Sequence, residues 1–285
     1  MKNSCSSCAL SSSESRGPQL SLSSFCEAAG TLSSDRSSRG SHTSGSEWSR
    51  DARPVVMLVA QDLSCKVPGG RTLFVRQSLS VEQGHLLLVQ GPSGVGKSRL
   101  LRAIGCLDPL AEGSLSLDGV SPQQLGLTHW RARVVYIPQS RVALPGTVRE
   151  HFVSLTELAA QKKRLNANRT QLLATLESLL QQVGLSEQRE GVLDRTWESL
   201  SGGEFQRAVL CCGLALEPRV LLLDEPTSAL DAESAQLVER VLLASGPTLV
   251  WVSHDQSSSE RLRCGARQCS TLTLAAFPSE ELQVD

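Results

Sequence analysis

The sequence has almost no net charge to offer a partner: 28 Lys and Arg stand against 29 Asp and Glu, leaving -1. This excludes the bulk basicity that holds a chain on nucleic acid or an acidic membrane, and no nucleic-acid partner is expected. Also missing is any apolar run near the ~18–20 residues that span a bilayer. The longest runs, in "HLLLV" and "RVLLLDE", have the length of buried parallel strands. Whatever the protein does at a membrane, it is expected not to cross one. Its nine cysteines are scattered, with no apolar signal segment, which points to reduced thiols rather than a disulfide framework. Cys5 and Cys8 form a C-x-x-C with no second pair beside it, so a zinc site is not expected. Cys211 and Cys212 lie in an apolar helical stretch and read as core. Cys264 and Cys269 carry no functional reading.

What is present begins with a Ser-rich tail, residues 1–53, that has neither helical nor strand periodicity. Such a segment cannot bury enough apolar area to offset its ordering entropy, and disorder is expected. Glu14, Glu27, Asp35 and Glu47 weigh against an acid-poor organelle presequence. A plastid or mitochondrial location is the alternative if the tail is one.

The folded region is expected over residues 54–285. "VVMLVAQDLSCKV" and "RTLFVRQSLSV" read as strands around the turn "PGG", and "GSLSLDG" as a small exposed strand. "HLLLVQ", "ARVVYIPQS", "RVLLLDE" and "TLVWVSHD" read as buried strands. Helices alternate with them, which predicts a parallel α/β core. From Thr147 to Gly184 the pattern is helical. It opens with a capping box at Thr147 and Glu150, carries a stripe of Leu172, Leu176, Leu179, Leu180 and Val183, and stops at Gly184. Lys162, Lys163 and Arg164 read as a solvated face. The sequon at Asn168 is without consequence inside a cell.

"GPSGVGKS", between a strand and a helix, fits the phosphate-loop pattern. Gly91, Pro92, Ser93, Gly94, Val95, Gly96, Lys97, Ser98 and Arg99 form the expected cradle. Its glycines let backbone N–H groups converge on phosphate oxygens, and the helix start adds positive potential. Lys97 is expected to reach the β- and γ-phosphates of ATP, and the Ser98 hydroxyl to ligate Mg2+. Asp224 and Glu225 end a buried strand, Asp224 to hold Mg2+ through water and Glu225 to orient and deprotonate the attacking water. Gln139 and His254 end two further strands, at the sheet edge where ligands bind. Gln139 could reach the same metal.

A second glycine-rich turn, "ESLSGGEFQRAV", is left over. Ser201 and Glu204 have capping-box spacing, so a helix starts there and its N-terminus is a spare anion site.

"LSGGE" at Leu200–Glu204, between a phosphate loop and "LLLDEPTSALD" and followed by "VSHD", resembles the nucleotide-binding subunits of ABC transporters. The resemblance covers residues 55 to 275. It implies a P-loop NTPase fold, a parallel-sheet core with an antiparallel β subdomain and an inserted helical subdomain at about 140–204. Two such subunits would dock head to tail as a homodimer. Ser201, Gly202 and Gly203 would then close over the γ-phosphate of the partner, with Asp231 crossing the interface. The resemblance makes Gln139 the sensor of Mg2+ and transporter, Glu225 the catalytic base and His254 the γ-phosphate switch. A multi-span permease would dock on the helical region, which places the chain at the cytoplasmic face of a membrane.

The small ATPases of metal-export and aluminium-tolerance permeases look most similar, with lipoprotein-release and phosphate-uptake ATPases as the alternatives. The alternative is a soluble ABC ATPase of the iron–sulfur, translation or repair type. The aromatic residue that stacks on adenine in this family is placed at Cys65, with Phe74 as a substitute from the next strand. Cys65→Tyr is therefore expected to tighten ATP binding. Arg99 also departs from the usual Thr or Ser.

Overall fold

The computed structural model describes residues 56–66, 72–165, 169–185 and 191–275. The Ser-rich tail with Cys5 and Cys8, the "PGG" turn and the Asn168 sequon lie outside the described residues.

Strands β1 (Val56–Lys66), β2 (Thr72–Glu82) and β4 (Glu112–Leu117) make an antiparallel sheet in the order β2-β1-β4. Strands β3 (Leu86–Gln90), β5 (Val134–Ile137), β6 (Val220–Asp224), β7 (Thr248–Val252) and β8 (Cys269–Thr273) make a parallel sheet in the order β5-β6-β7-β3-β8. Helix α1 (Lys97–Ile104) follows β3; α2 (Pro122–Leu125) and α3 (Leu127–Arg133) precede β5. Between β5 and β6 lie α4 (Val148–Glu157), α5 (Ala159–Leu165), α6 (Arg169–Gln182) and α7 (Gly202–Ala215). Helices α8 (Ala232–Ala244) and α9 (Gln256–Gly265) flank β7. The expected fold class is the one observed.

Two cores sit on the two faces of the parallel sheet, and the pleat assigns each residue to one. Leu86 and Leu88, Leu221 and Leu223, Leu249 and Trp251 join α6, α7 and α9. Their neighbours Leu87, Val89, Val220, Leu222, Val250 and Val252 join β1, β2 and α1. Strands with both faces buried must be apolar throughout, hence the short continuous runs in the sequence.

The helical region from Thr147 begins where expected. Thr147 Oγ1 accepts from Glu150 N at 3.2 Å and Glu150 Oε2 accepts from Thr147 N at 2.9 Å. Among the described residues it is three helices rather than one pattern, the first two separated at Leu158. Leu172, Leu176, Leu180 and Val183 are buried while Leu179 is only partly so. Gly184, at φ +74°, lets Leu185 N reach Leu180 O at 2.9 Å, closing α6. Arg164, read as solvated, instead donates to the carbonyls of Leu216 and Glu217 past the end of α7.

The two positions read as adenine-stacking are both buried. Cys65 is buried and pairs across the sheet with Phe74, itself 2% exposed. Phe74 lies under the phosphate loop: a Cβ on Gly96 would come within 3.2 Å of its ring. Neither side chain is exposed to solvent as it stands. Cys65→Tyr would overfill this core instead, at a cost of roughly 1–3 kcal/mol. Thermal unfolding should show a clearly lowered Tm with no gain in ATP affinity.

Candidate functional site

Because all strands of the larger sheet are parallel, β3, β5, β6 and β7 release their chains at one edge. That edge gathers the phosphate loop after Gln90, Gln139 after Ile137, Glu225 after Asp224, and His254 after Val252.

Glycines at positive φ shape the loop. Gly91 has φ +145°, and a Cβ there would lie 2.4 Å from Leu274 O. Gly96 caps α1 at φ +105°. The first intrahelical bond is Leu100 N to Gly96 O at 2.8 Å, so the amides of Lys97, Ser98 and Arg99 precede it and make an anion-binding end. Lys97 Nζ arches back over the loop, donating to Gly91 O at 2.9 Å and Pro92 O at 2.8 Å. Burial lowers the pKa of its ammonium, an effect opposed by the carboxylates of Glu225 and Asp224. Pro92, Ser93, Gly94 and Ser98 are exposed while Val95 anchors the loop in the core. Arg99 turns its guanidinium away, to Asp108 Oδ2 at 2.7 Å. Only its backbone amide belongs to the cradle.

Both oxygens of Glu225 are gripped. Gln139 Nε2 donates to Oε2 at 2.6 Å, and His254 Nε2 lies 2.8 Å from Oε1. Glu225 itself stands at φ +48°, a left-handed conformation that costs free energy for a side-chain-bearing residue. Its N–H is fixed by Val252 O at 3.1 Å. Thus Gln139, Glu225 and His254, far apart in sequence, form one cluster. Asp224 is 3% exposed, and Tyr136 Oη donates to its Oδ2 at 3.0 Å. Burial and the Asp224 charge push the Tyr136 phenol up, so it remains a donor and holds the carboxylate in place. The Tyr136 contact was not foreseen from sequence, although the strand "VVYI" that carries it was.

The second glycine-rich turn folds as its spacing predicts. Ser201 Oγ accepts from Glu204 N at 3.3 Å and Glu204 Oε2 accepts from Ser201 N at 2.8 Å. A hydroxyl that accepts from its own helix keeps its O–H to donate outward. Gly202 differs from the phosphate-loop glycines. It needs no left-handed φ, and like Gly94 it is exposed and a Cβ there would meet nothing within 4 Å. Nothing among the described residues requires a glycine at that position. Asp231 is exposed and caps α8, its Oδ1 accepting from Ser234 N at 2.9 Å.

Among the described residues no three His, Cys, Asp or Glu side chains form a metal cluster, and no helix is long and apolar enough to cross a membrane.

A family model described as ABC transporter matches residues 75–228. The glutamate transport ATP-binding protein GluA of Corynebacterium glutamicum is 35% identical over 64% of this chain and 74% of its own length. The aliphatic sulfonates import ATP-binding protein SsuB 2 of Burkholderia cenocepacia is 36% identical over 77% of this chain and 76% of its own. A solved ATP-binding subunit of an ABC transporter superposes with a TM-score of 0.65 at 21% identity, covering 78% of this chain and 88% of that one.

Proposed function

The chain belongs to the ABC transporter family of ATP-binding, ATP-hydrolysing proteins, and from that premise we infer how its residues divide the work. It is the subunit that energises transport by a separately encoded permease. Relatives are named for glutamate, sulfonates, phosphate and zinc, so the substrate is selected by the permease and not by this cassette. The metal-export and aluminium-tolerance resemblance is left without support by those names.

Residues 54–285 form the ATP-binding domain, with the helical subdomain at about 140–204 as the permease-facing part, and the subunit works as a peripheral one at the cytoplasmic face. The phosphate loop from Gly91 to Ser98 cradles ATP, and Lys97 exchanges its loop carbonyls for the β- and γ-phosphates. Glu225 takes a proton from water aimed at the γ-phosphorus; before nucleotide binds, Gln139 and His254 hold its two oxygens. The Ser98 hydroxyl, the Asp224 carboxylate and the Gln139 amide oxygen are hard oxygen donors suited to Mg2+. That ion, when bound with nucleotide, neutralises phosphate charge.

Two such chains work head to tail. The observation that carries this reading is Gly202: an exposed glycine with open space above it, at a helix N-terminus with a free hydroxyl proton. Such a turn suits the close approach of something outside the chain, and a partner's γ-phosphate has the right charge. Affinity purification of the full chain from native membranes tests the transport reading. A multi-span membrane protein should co-purify, and recovery of none would favour the soluble alternative.

A further inference from the structure

Gln139 and Arg141 stand two residues apart in the segment leaving β5 and hold different parts of the molecule. Gln139 grips the carboxylate of Glu225 at 2.6 Å. Arg141 reaches the three carbonyls that lead into the second glycine-rich turn. Its Nη1 donates to Leu200 O at 3.1 Å, and its Nη2 to Trp197 O at 2.5 Å and Glu198 O at 3.4 Å. The guanidinium carbon lies 4.8 Å from the centre of the Phe205 ring. Phe205 meets Trp197 edge-on at 5.1 Å, and Trp197 meets His151 at 5.6 Å. The fourth carbonyl of the run, Ser199 O, is taken by Arg195 at 2.6 Å.

We propose that Arg141 is a positioning residue that couples the two half-sites of one chain: through Gln139 it senses the Glu225 site, and through Trp197–Leu200 it sets the N-terminus of α7. The inference rests on the paired reading above. One residue, Ser140, separates the two side chains, and two peptide units span at most about 7 Å. When Gln139 leaves Glu225 for the nucleotide, Arg141 has little slack with which to stay behind. A guanidinium presents its donors in a rigid planar fork and stacks on an aromatic face, so one side chain can hold several carbonyls in a fixed relation. A displaced fork therefore carries Leu200 with it, and Leu200 is bonded into the chain next to the Ser201 cap. ATP held by a chain's own phosphate loop would in this way tune the half-site offered to its partner.

The test compares ATP-dependent self-association of four full-length chains: Glu225→Gln alone, and the same chain with Arg141→Met, with Gln139→Ala, or with both. ATP affinity of the dilute chain is measured alongside, and Arg141→Lys serves as a milder variant. Coupling between sites is typically worth 5–150-fold. We expect Arg141→Met to weaken association about tenfold or more, with ATP affinity within about twofold of its parent. The double variant should be no worse than the poorer single one, because both cut the same link. Lysine should recover only part of the loss, since an ammonium cannot hold all three carbonyls. Association unchanged by Arg141→Met, or losses from Arg141 and Gln139 that simply add, would overturn the proposal. If Glu225→Gln with Arg141 intact fails to associate with ATP, the paired reading itself falls and takes this inference with it.

Discussion

Glu225→Gln is expected to lower ATP turnover by roughly 10²–10⁴-fold, the range for removing a general base, and to accumulate the chain as an ATP-bound pair. Gln has the same shape as Glu, so it can stay at φ +48° and keep a contact with both Gln139 and His254. What disappears is the lone pair that takes a proton from water. Binding is spared, because the phosphate loop and Lys97 are untouched. The loss of one carboxylate removes part of the charge that opposes the desolvation of Lys97, a smaller effect, since Asp224 remains. Binding without chemistry leaves closure with no exit, so the associated form should persist for as long as ATP is present. Steady-state phosphate release and size-exclusion chromatography with ATP measure the two halves. A variant that hydrolyses ATP at the parent rate would remove Glu225 from its role.

Ser201→Arg acts on the other half of the account and should cost comparably in turnover, on the order of 10²–10³-fold, the scale for losing one donor to developing charge. It replaces a small cap with a long cation exactly where Gly202 leaves open space. Losing the Ser201 cap should itself cost ~1 kcal/mol of stability, a Tm shift of about 2–4 °C for a domain of this size. The chain should therefore stay folded. Its own phosphate loop is untouched, so dilute ATP binding should match the parent while ATP-dependent association and turnover are lost. Equilibrium binding of a fluorescent ATP analogue separates this from general damage. Loss of binding together with turnover would mean the turn serves its own chain.

The sheet and its edge were legible because their signals are local. A run such as "VLLLD" states its burial on both faces, and a motif between strand and helix fixes where the cradle lies. The capping boxes at Thr147 and Ser201 were legible for the same reason. Contacts between distant residues were not. Tyr136 finds Asp224 across 88 residues, and Arg141 finds Leu200 across 59; only strand order and helix placement bring them together. Strand β8, "CSTLT", is a half-exposed edge with little apolar content. Helix α9 is mostly polar and starts because Asp255 caps Ser257 and Ser258. The burial of Cys65 was not legible because β1 is irregular: register shifts on both sides of it leave Leu63, Ser64 and Cys65 buried in succession. A pleat with bulges does not keep its period of two.

The most direct test of work in pairs mixes two inactive chains, Ser201→Arg and Lys97→Ala. In a head-to-tail pair of unlike chains, the intact phosphate loop of the first faces the intact Ser201 turn of the second. One complete site is rebuilt while the other carries both lesions. Neither chain alone should turn over ATP, and the mixture should recover a clear fraction of parent turnover that rises with the proportion of mixed pairs. A mixture as inactive as its components, across all ratios, would contradict the account: the Ser201 turn would then not complete a partner's site.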